Sequence, residues 1–338
     1  MAPAAPAMPL SRTLDVRGPF DLGQALGFLN GFAPAGAAPQ QACYAGAHVL
    51  GGRALLVRLQ QEPTGSLHLE VAGPGADSKA LDEAEALVRR VFSVGYDGAA
   101  FYDRVGRDDP VLGSLQARFP GLRPVLFGSP FEALCWAVIS QRLGIPQAAR
   151  LKARLAARLG PSVEVDDRQT QAFPAPEHLL ALDPARDTAA LRLPAAKVER
   201  LHALARRGVR GDFDAGRLLG MPVPGARAWL EVSPGVGSWA SEFALIRGAG
   251  HPDLLPRGER RVLVAVQRYY GLAREPTFAE LERLGQRWEG FRSWAAFLLR
   301  VALQADTHEI QGPACGALSD SLASPHSHRR AGKGPVQP

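Results

Sequence analysis

The order of apolar and polar positions divides the chain into two regimes. Between Arg12 and about Pro74 the pattern alternates. In "SLHLEVAG" (Ser66 to Gly73), Leu67, Leu69 and Val71 fall on one side and His68 and Glu70 on the other, the period of two of a half-buried strand. "ALLVRLQ" (Ala54 to Gln60) reads as a second strand, with "LGGR" before it and "PTGS" after it as hairpin turns. "RTLDVRG" gives another strand, and "PFDLGQALGFLNGF" a helix opening at Pro19 with Asp21 near its first turn. The region 12–74 therefore predicts a small antiparallel sheet with helices on one face.

Beyond Pro74 the period lengthens to that of a helix. "SKALDEAEALVRRVFSV" places Leu81, Ala84, Leu87, Val88 and Val91 on one stripe, and this helix, 78–93, could be shared with the front domain. "SPFEALCWAVISQRL" opens with a Ser129 cap and Pro130 in the first turn, and "PQAARLKARLAARLG" closes on Gly160. Further helices are predicted over 195–207, 226–232, 238–248, 259–270, 277–286 and 291–305. The region 75–305 thus reads as an all-helical domain. Residues 1–11 and 306–338 lack periodicity and read as disordered.

Composition narrows the classes. At 338 residues with 46% hydrophobic and 21% charged content, the chain has length for two domains with real cores. It has no apolar run of about 18 residues, which argues against a membrane span, and its N-terminus lacks the pattern of a secretory signal. Cys43, Cys135 and Cys315 are odd in number and far apart, which fits a reducing cytoplasm and excludes a clustered iron–sulfur site. A formal charge of +6 permits a polyanionic partner without requiring one. In the tail, His326, His328, Arg329 and Arg330 carry no pattern that points to a ligand.

One stretch stands out chemically. In "EVSPGVGSWASEF" (Glu231 to Phe243), Ser233, Pro234, Gly235, Val236, Gly237 and Ser238 form a tight corner between two helices. Pro234 stops the first helix and the two glycines permit positive φ. Val236 is placed to tuck between the helices and Ser238 to cap the second. Exposed N–H groups at such a helix start make an anion site, and glycine lets a phosphate approach. Alone, such a corner is equally an ordinary connection.

Upstream stand "FGSPFEALCWAVISQRLGIPQAARLKARL" and "LPAAKVERLHALA"; downstream stands "GAGHPDLLPRGERRVLVAVQRYYGL". In this order and spacing the set resembles the helix-hairpin-helix DNA glycosylases. The antiparallel front region narrows the resemblance to the 3-methyladenine DNA glycosylase II family, over roughly residues 12–304. The resemblance implies an α+β protein, a TBP-like front domain followed by a helical domain, which flips a damaged nucleotide out of duplex DNA and cleaves its bond to deoxyribose. It implies a carboxylate against the positive charge building on the sugar. The family pattern D-x-F-P-x-x-D reads here Asp253-Leu-Leu-Pro-Arg-Gly-Glu259, with Glu in place of the final Asp. It further implies a base pocket of Trp239, Phe243 and Phe291, with Trp288 beside them. A wedge among Gln141, Arg142 and Leu143 would fill the gap left by the flipped base. Trp239 stands where relatives with lyase activity carry a nucleophilic Lys, so the implied enzyme is monofunctional. No cofactor is implied beyond a monovalent cation, Na+ or K+, held by backbone carbonyls near Ser233 and Val236. The expected partner is double-stranded DNA with damaged bases, met by a monomer. Two other readings stay open: a lesion- or bent-DNA-binding protein disabled by the Asp-to-Glu change, and a helical interaction module unrelated to DNA.

Overall fold

A computed structural model describes residues 9–29 and 43–307; the expectations for 1–8, for Cys315 and for the tail from 308 onward lie outside the described residues. Strands β1 (Leu10–Leu14), β2 (Cys43–Leu50), β3 (Arg53–Gln61) and β4 (Leu67–Ala72) form one antiparallel sheet in the order β1-β4-β3-β2. β1 begins two residues ahead of the sequence-based boundary, because Leu10 and Ser11 pair with Val71 and Glu70. Gly51 and Gly52, both at positive φ, make the two-residue turn between β2 and β3. Leu67, Leu69 and Val71 are buried together with Leu55, Val57 and Leu59 beneath the helices Leu22–Leu29 and Ser78–Val91. Asp77 caps the second of these by accepting from the Ala80 N–H at 2.8 Å.

The region after residue 75 is not wholly helical, which corrects the sequence-based expectation. A hairpin of β5 (Ser162–Val165) and β6 (Arg168–Gln171) returns to the outer face of the sheet. There Val163 and Ala172 pack against Ala47 and Leu56, and Arg58 bridges Glu70 and Asp166. The sheet is therefore covered on both faces.

The helical part comprises chiefly Pro130–Ser140, Ile145–Leu159, Ala195–Val209, Val223–Glu231, Ser238–Phe243, Arg260–Tyr269, Phe278–Leu284 and Arg292–Thr307. Ser129 caps the first of these, its hydroxyl accepting from the Glu132 N–H. Sheet and helices share one apolar core, seen where Phe28 meets Phe297 edge to face at 4.9 Å. Arg123, fully buried, fixes the front segment by donating to the carbonyls of Pro19, Ser93, Tyr96, Arg17 and Gly18. Burial lowers its guanidinium to about 10. The rings of Phe20 and Trp294 lie against the same group.

Candidate active site

The corner at Ser233–Ser238 joins the helices Val223–Glu231 and Ser238–Phe243. Its Ser233 and Val236 are buried, and the Val236 N–H donates to the Ser233 carbonyl at 3.0 Å. Only Gly235 uses positive φ, at +82°. A Cβ there would lie 2.5 Å from Cδ of Arg200, so the position needs glycine for both shape and space. The N-cap of the second helix is Gly237, with extended backbone and no side-chain cap; Ser238 is the first helical residue, not the cap expected from the sequence. Nothing faces the Cβ position of Gly237, so that side of the corner is open.

The turn after Pro130–Ser140 lies beside this corner. Gln141 is held there: its Nε2 donates to the Gly235 carbonyl and its Oε1 accepts from Arg200, both at 2.8 Å. Lys197, a buried cation whose pKa burial lowers, donates to the carbonyls of Ile139 and Gln141 at 2.7 and 2.8 Å. Gln141 is thereby a tie between turn and corner, not a side chain at liberty to insert. Arg142 next to it is exposed and sits at φ +59°, a strained setting for a residue with a side chain. Leu143 lies on the wall between a groove, lined also by Lys197, Arg200 and the corner, and a deeper apolar cavity.

That cavity, of ≈ 270 Å³, is where the second hairpin helix delivers its aromatics. Trp239 and Phe243, four residues apart, stack with centroids 5.1 Å apart and planes at 23°. Trp239 remains 38% exposed, an unusual state for a tryptophan and one that leaves ring surface for a ligand. Gly258 lets it lie close: a Cβ there would be 2.6 Å from Trp239 Cδ1. One residue on is Glu259, the N-cap of Arg260–Tyr269, which also lines the cavity. Its Oε1 accepts weakly from the Arg261 N–H at 3.4 Å, and its Oε2 lies 3.7 Å from Nε of Arg300. The segment carrying Glu259 is anchored at both ends. Asp253 pairs with Arg292 at 2.7 Å, and the buried Glu242 accepts from the Arg257 N–H at 2.9 Å while pairing with Arg227 at 3.1 Å. The carboxylate is thus presented on a braced loop beside the stacked rings.

Two expected pocket residues are elsewhere. Trp288 is 0% exposed and its indole N–H donates to Asp109 at 2.9 Å, deep in the core. Phe291 packs on Phe101 and Trp294 under Arg104. Neither lines the cavity; both serve packing. The residues that take their place, Phe127, Trp136 and Phe297, come from other parts of the chain, and the lining also includes Arg247, Arg261 and Arg300. Trp136 sits on a helix that is apolar almost all round, so nothing in its pattern marks one face as a pocket. Arg300 did carry a signal, as a lone charge within the apolar run Ala295–Leu303.

Hairpin corner, braced acid and aromatic cavity are thus brought together. A 3-methyladenine DNA glycosylase structure from Archaeoglobus fulgidus matches with a TM-score of 0.73, over 89% of this chain and 100% of that one, at 20% identity. No family model matches the chain. Its sequence is 27% identical over 218 residues to a DNA-3-methyladenine glycosylase of Bacillus subtilis, covering 64% of this chain and 71% of the relative. It is 31% identical over 188 residues to DNA-3-methyladenine glycosylase 2 of Escherichia coli, covering 54% of this chain and 61% of that protein. The chain is thus similar in sequence to 3-methyladenine DNA glycosylases and shares the fold of the Archaeoglobus structure. Among the described residues no helix is long and apolar enough to cross a membrane.

Proposed function

We propose that the chain is a DNA glycosylase that removes alkylated bases from duplex DNA by hydrolysis of the N-glycosidic bond. The observation that carries the reading is the meeting of Glu259 with the Trp239–Phe243 stack in one cavity beside the hairpin corner. The corner, open at Gly237, binds a backbone phosphate through the N–H groups at the start of Ser238–Phe243. Arg142, exposed at the tip of its turn, enters the space of the extruded nucleotide, with Leu143 behind it. The base stacks on the free surface of Trp239. Glu259 then faces the sugar and stabilises the positive charge that grows on C1′ as the base departs and water adds. With Trp at position 239, no amine is available there to form a Schiff base, which makes the enzyme monofunctional. The front sheet with its helices on one face corresponds to the TBP-like domain of the family, and the enzyme acts as a monomer.

A Na+ or K+ ion fits the corner by its donor chemistry. The carbonyls of Ser233 and Val236 belong to one tight turn, and hard cations take such oxygen ligands. Bound there, the ion would add positive charge beneath the phosphate.

The test is product analysis on methylated duplex DNA. The reading predicts free methylated base and an abasic strand that breaks only after alkali. Strand cleavage without alkali would contradict the monofunctional assignment, and recovery of intact DNA would contradict the enzyme.

A further inference from the structure

We propose that Phe127 is a partition that limits the size of base the pocket accepts, standing between the cavity of Trp239 and Glu259 and a second cavity behind it; the proposal rests on the glycosylase reading of the same site. Phe127 lines both the first cavity, of ≈ 270 Å³, and the second, of ≈ 250 Å³, whose walls also include Tyr44, His48, Lys152 and Ala153. Its ring has partners toward each. Toward the first it meets Phe243 edge to face, with centroids 5.6 Å apart, and lies 6.1 Å from the Trp136 ring. Toward the second the Lys152 ammonium stands over the ring, 5.5 Å from its centroid.

A partition sets a size limit only if it stays in place, and Phe127 is pinned. Its N–H donates to the Arg247 carbonyl at 2.8 Å, and its carbonyl accepts from Arg90 at 3.1 Å. The same Arg90 guanidinium holds the carbonyls of Gly248 and Gly128. Lys152 is fixed in turn, paired with Glu132 at 2.5 Å, while Glu132 accepts from the Gly128 N–H at 3.0 Å. The ring therefore cannot swing into the second cavity without displacing an ion pair that is itself mostly buried. A methyl adds one small group to a purine stacked on Trp239. A substituent as large as a second ring, directed toward Phe127, has to enter the space that this side chain holds, and overfilling a packed site is costly.

7-Methylguanine and 7-benzylguanine carry the same ring charge and leave by the same chemistry. The C1′–N9 electron pair passes to the base and neutralises it, water oxygen bonds to C1′, and the proton lost from that water goes to solvent. The two differ in the size of the N7 substituent. Duplexes bearing each, and 2′-fluoro analogues that resist hydrolysis, would be offered to the full chain, to Phe127→Ala, to Phe127→Leu, and to Phe127→Ala combined with Ala153→Phe. Release is read as acceleration over the spontaneous rate, and binding as Kd. The native chain should show at least about ten-fold greater acceleration, and tighter binding, for the methylated base. Phe127→Ala should narrow that gap by about ten-fold, through a gain on the benzylated base. Phe127→Leu should narrow it in part, and carries the test if the Ala variant does not fold. Ala153→Phe, which fills the second cavity, should restore the gap. Equal treatment of the two bases by the native chain would overturn the proposal, as would an unchanged ratio in a folded Phe127 variant or a gain that survives Ala153→Phe. Absence of release from every duplex would instead refute the glycosylase reading. The size limit would then be decided by the same comparisons of Kd on the 2′-fluoro duplexes, with the same outcomes overturning it.

Discussion

At the scale of single residues, the proposed chemistry turns on Glu259. An N-cap carboxylate is common enough to need no function, since it satisfies the free N–H groups of a helix start. Here the cap bond is long, 3.4 Å, and the other oxygen reaches toward Arg300 on the cavity wall, so the side chain is only half committed to the helix. Trp239 is the matching apolar element. Trp239→Ala should weaken binding to a lesion-bearing duplex by about 1–3 kcal/mol while leaving undamaged duplex nearly unaffected. Equal loss on both duplexes, measured by fluorescence anisotropy, would remove the ring from the pocket. The family resemblance singled out Trp239, Phe243 and Glu259, and all three line one cavity. It misled at Trp288 and Phe291, since an aromatic near the end of a helix looks alike whether it lines a cavity or fills a core. Burial, the Asp109 bond to the Trp288 indole and the packing of Phe291 on Phe101 and Trp294 separate the two.

His48 gives a residue-scale prediction about stability. It is half-buried on β2, its Nε2 2.7 Å from the Tyr44 hydroxyl, and desolvation lowers its pKa to about 4. The unfolded chain binds a proton near the ordinary value of 6.5 that the folded chain refuses. Its contribution is thus fully present above pH ~6.5 and is lost as pH falls toward ~4, by about 3 kcal/mol in all. Urea unfolding of the native chain and His48→Phe at several pH values checks this. The stability gap between them should move in favour of the variant as pH falls, and a gap independent of pH would contradict the assignment.

At the scale of elements, the corner rests on two glycines with different work. Gly235 needs its left-handed backbone and lies against Arg200, so Gly235→Ala should cost roughly 1–3 kcal/mol of stability. Gly237 has ordinary backbone and open space, so Gly237→Ala should change stability by less than about 0.5 kcal/mol yet weaken duplex binding. Thermal melts and binding isotherms separate the two, and unchanged binding by Gly237→Ala would detach the corner from DNA. Most elements were legible, because the switch from period two to helical spacing is sharp at Pro74. The β5–β6 hairpin was not. Its strands are four residues each and mostly polar, and its turn uses Asp166 and Asp167 at positive φ in place of a glycine-bearing pair. Its buried apolar contacts, Val163 and Ala172 on Ala47 and Leu56, connect segments more than a hundred residues apart in sequence. Local pattern cannot report such a pairing.

At the scale of the molecule, the sheet and the helices share a core, and the tie from Lys197 and Arg200 through Gln141 to Gly235 couples the wedge turn to the corner. The turn after Pro130–Ser140 and the corner are therefore tied together by hydrogen bonds. The formal charge of +6 is modest, so the proposed DNA affinity rests on local phosphate contacts more than on net charge. Duplex binding should fall at least about ten-fold between about 50 and about 200 mM salt, the release of counterions that phosphate contacts produce. Affinity that stays flat across this range would favour an interaction module unrelated to nucleic acid.

The central claim is that Glu259 carries catalysis in this pocket. It is tested most directly by single-turnover release of methylated bases from alkylated duplex DNA by the native chain and by Glu259→Gln. The account predicts release by the native chain and a loss of about 100-fold or more in the Gln variant, with lesion binding retained. Equal release by both would contradict it.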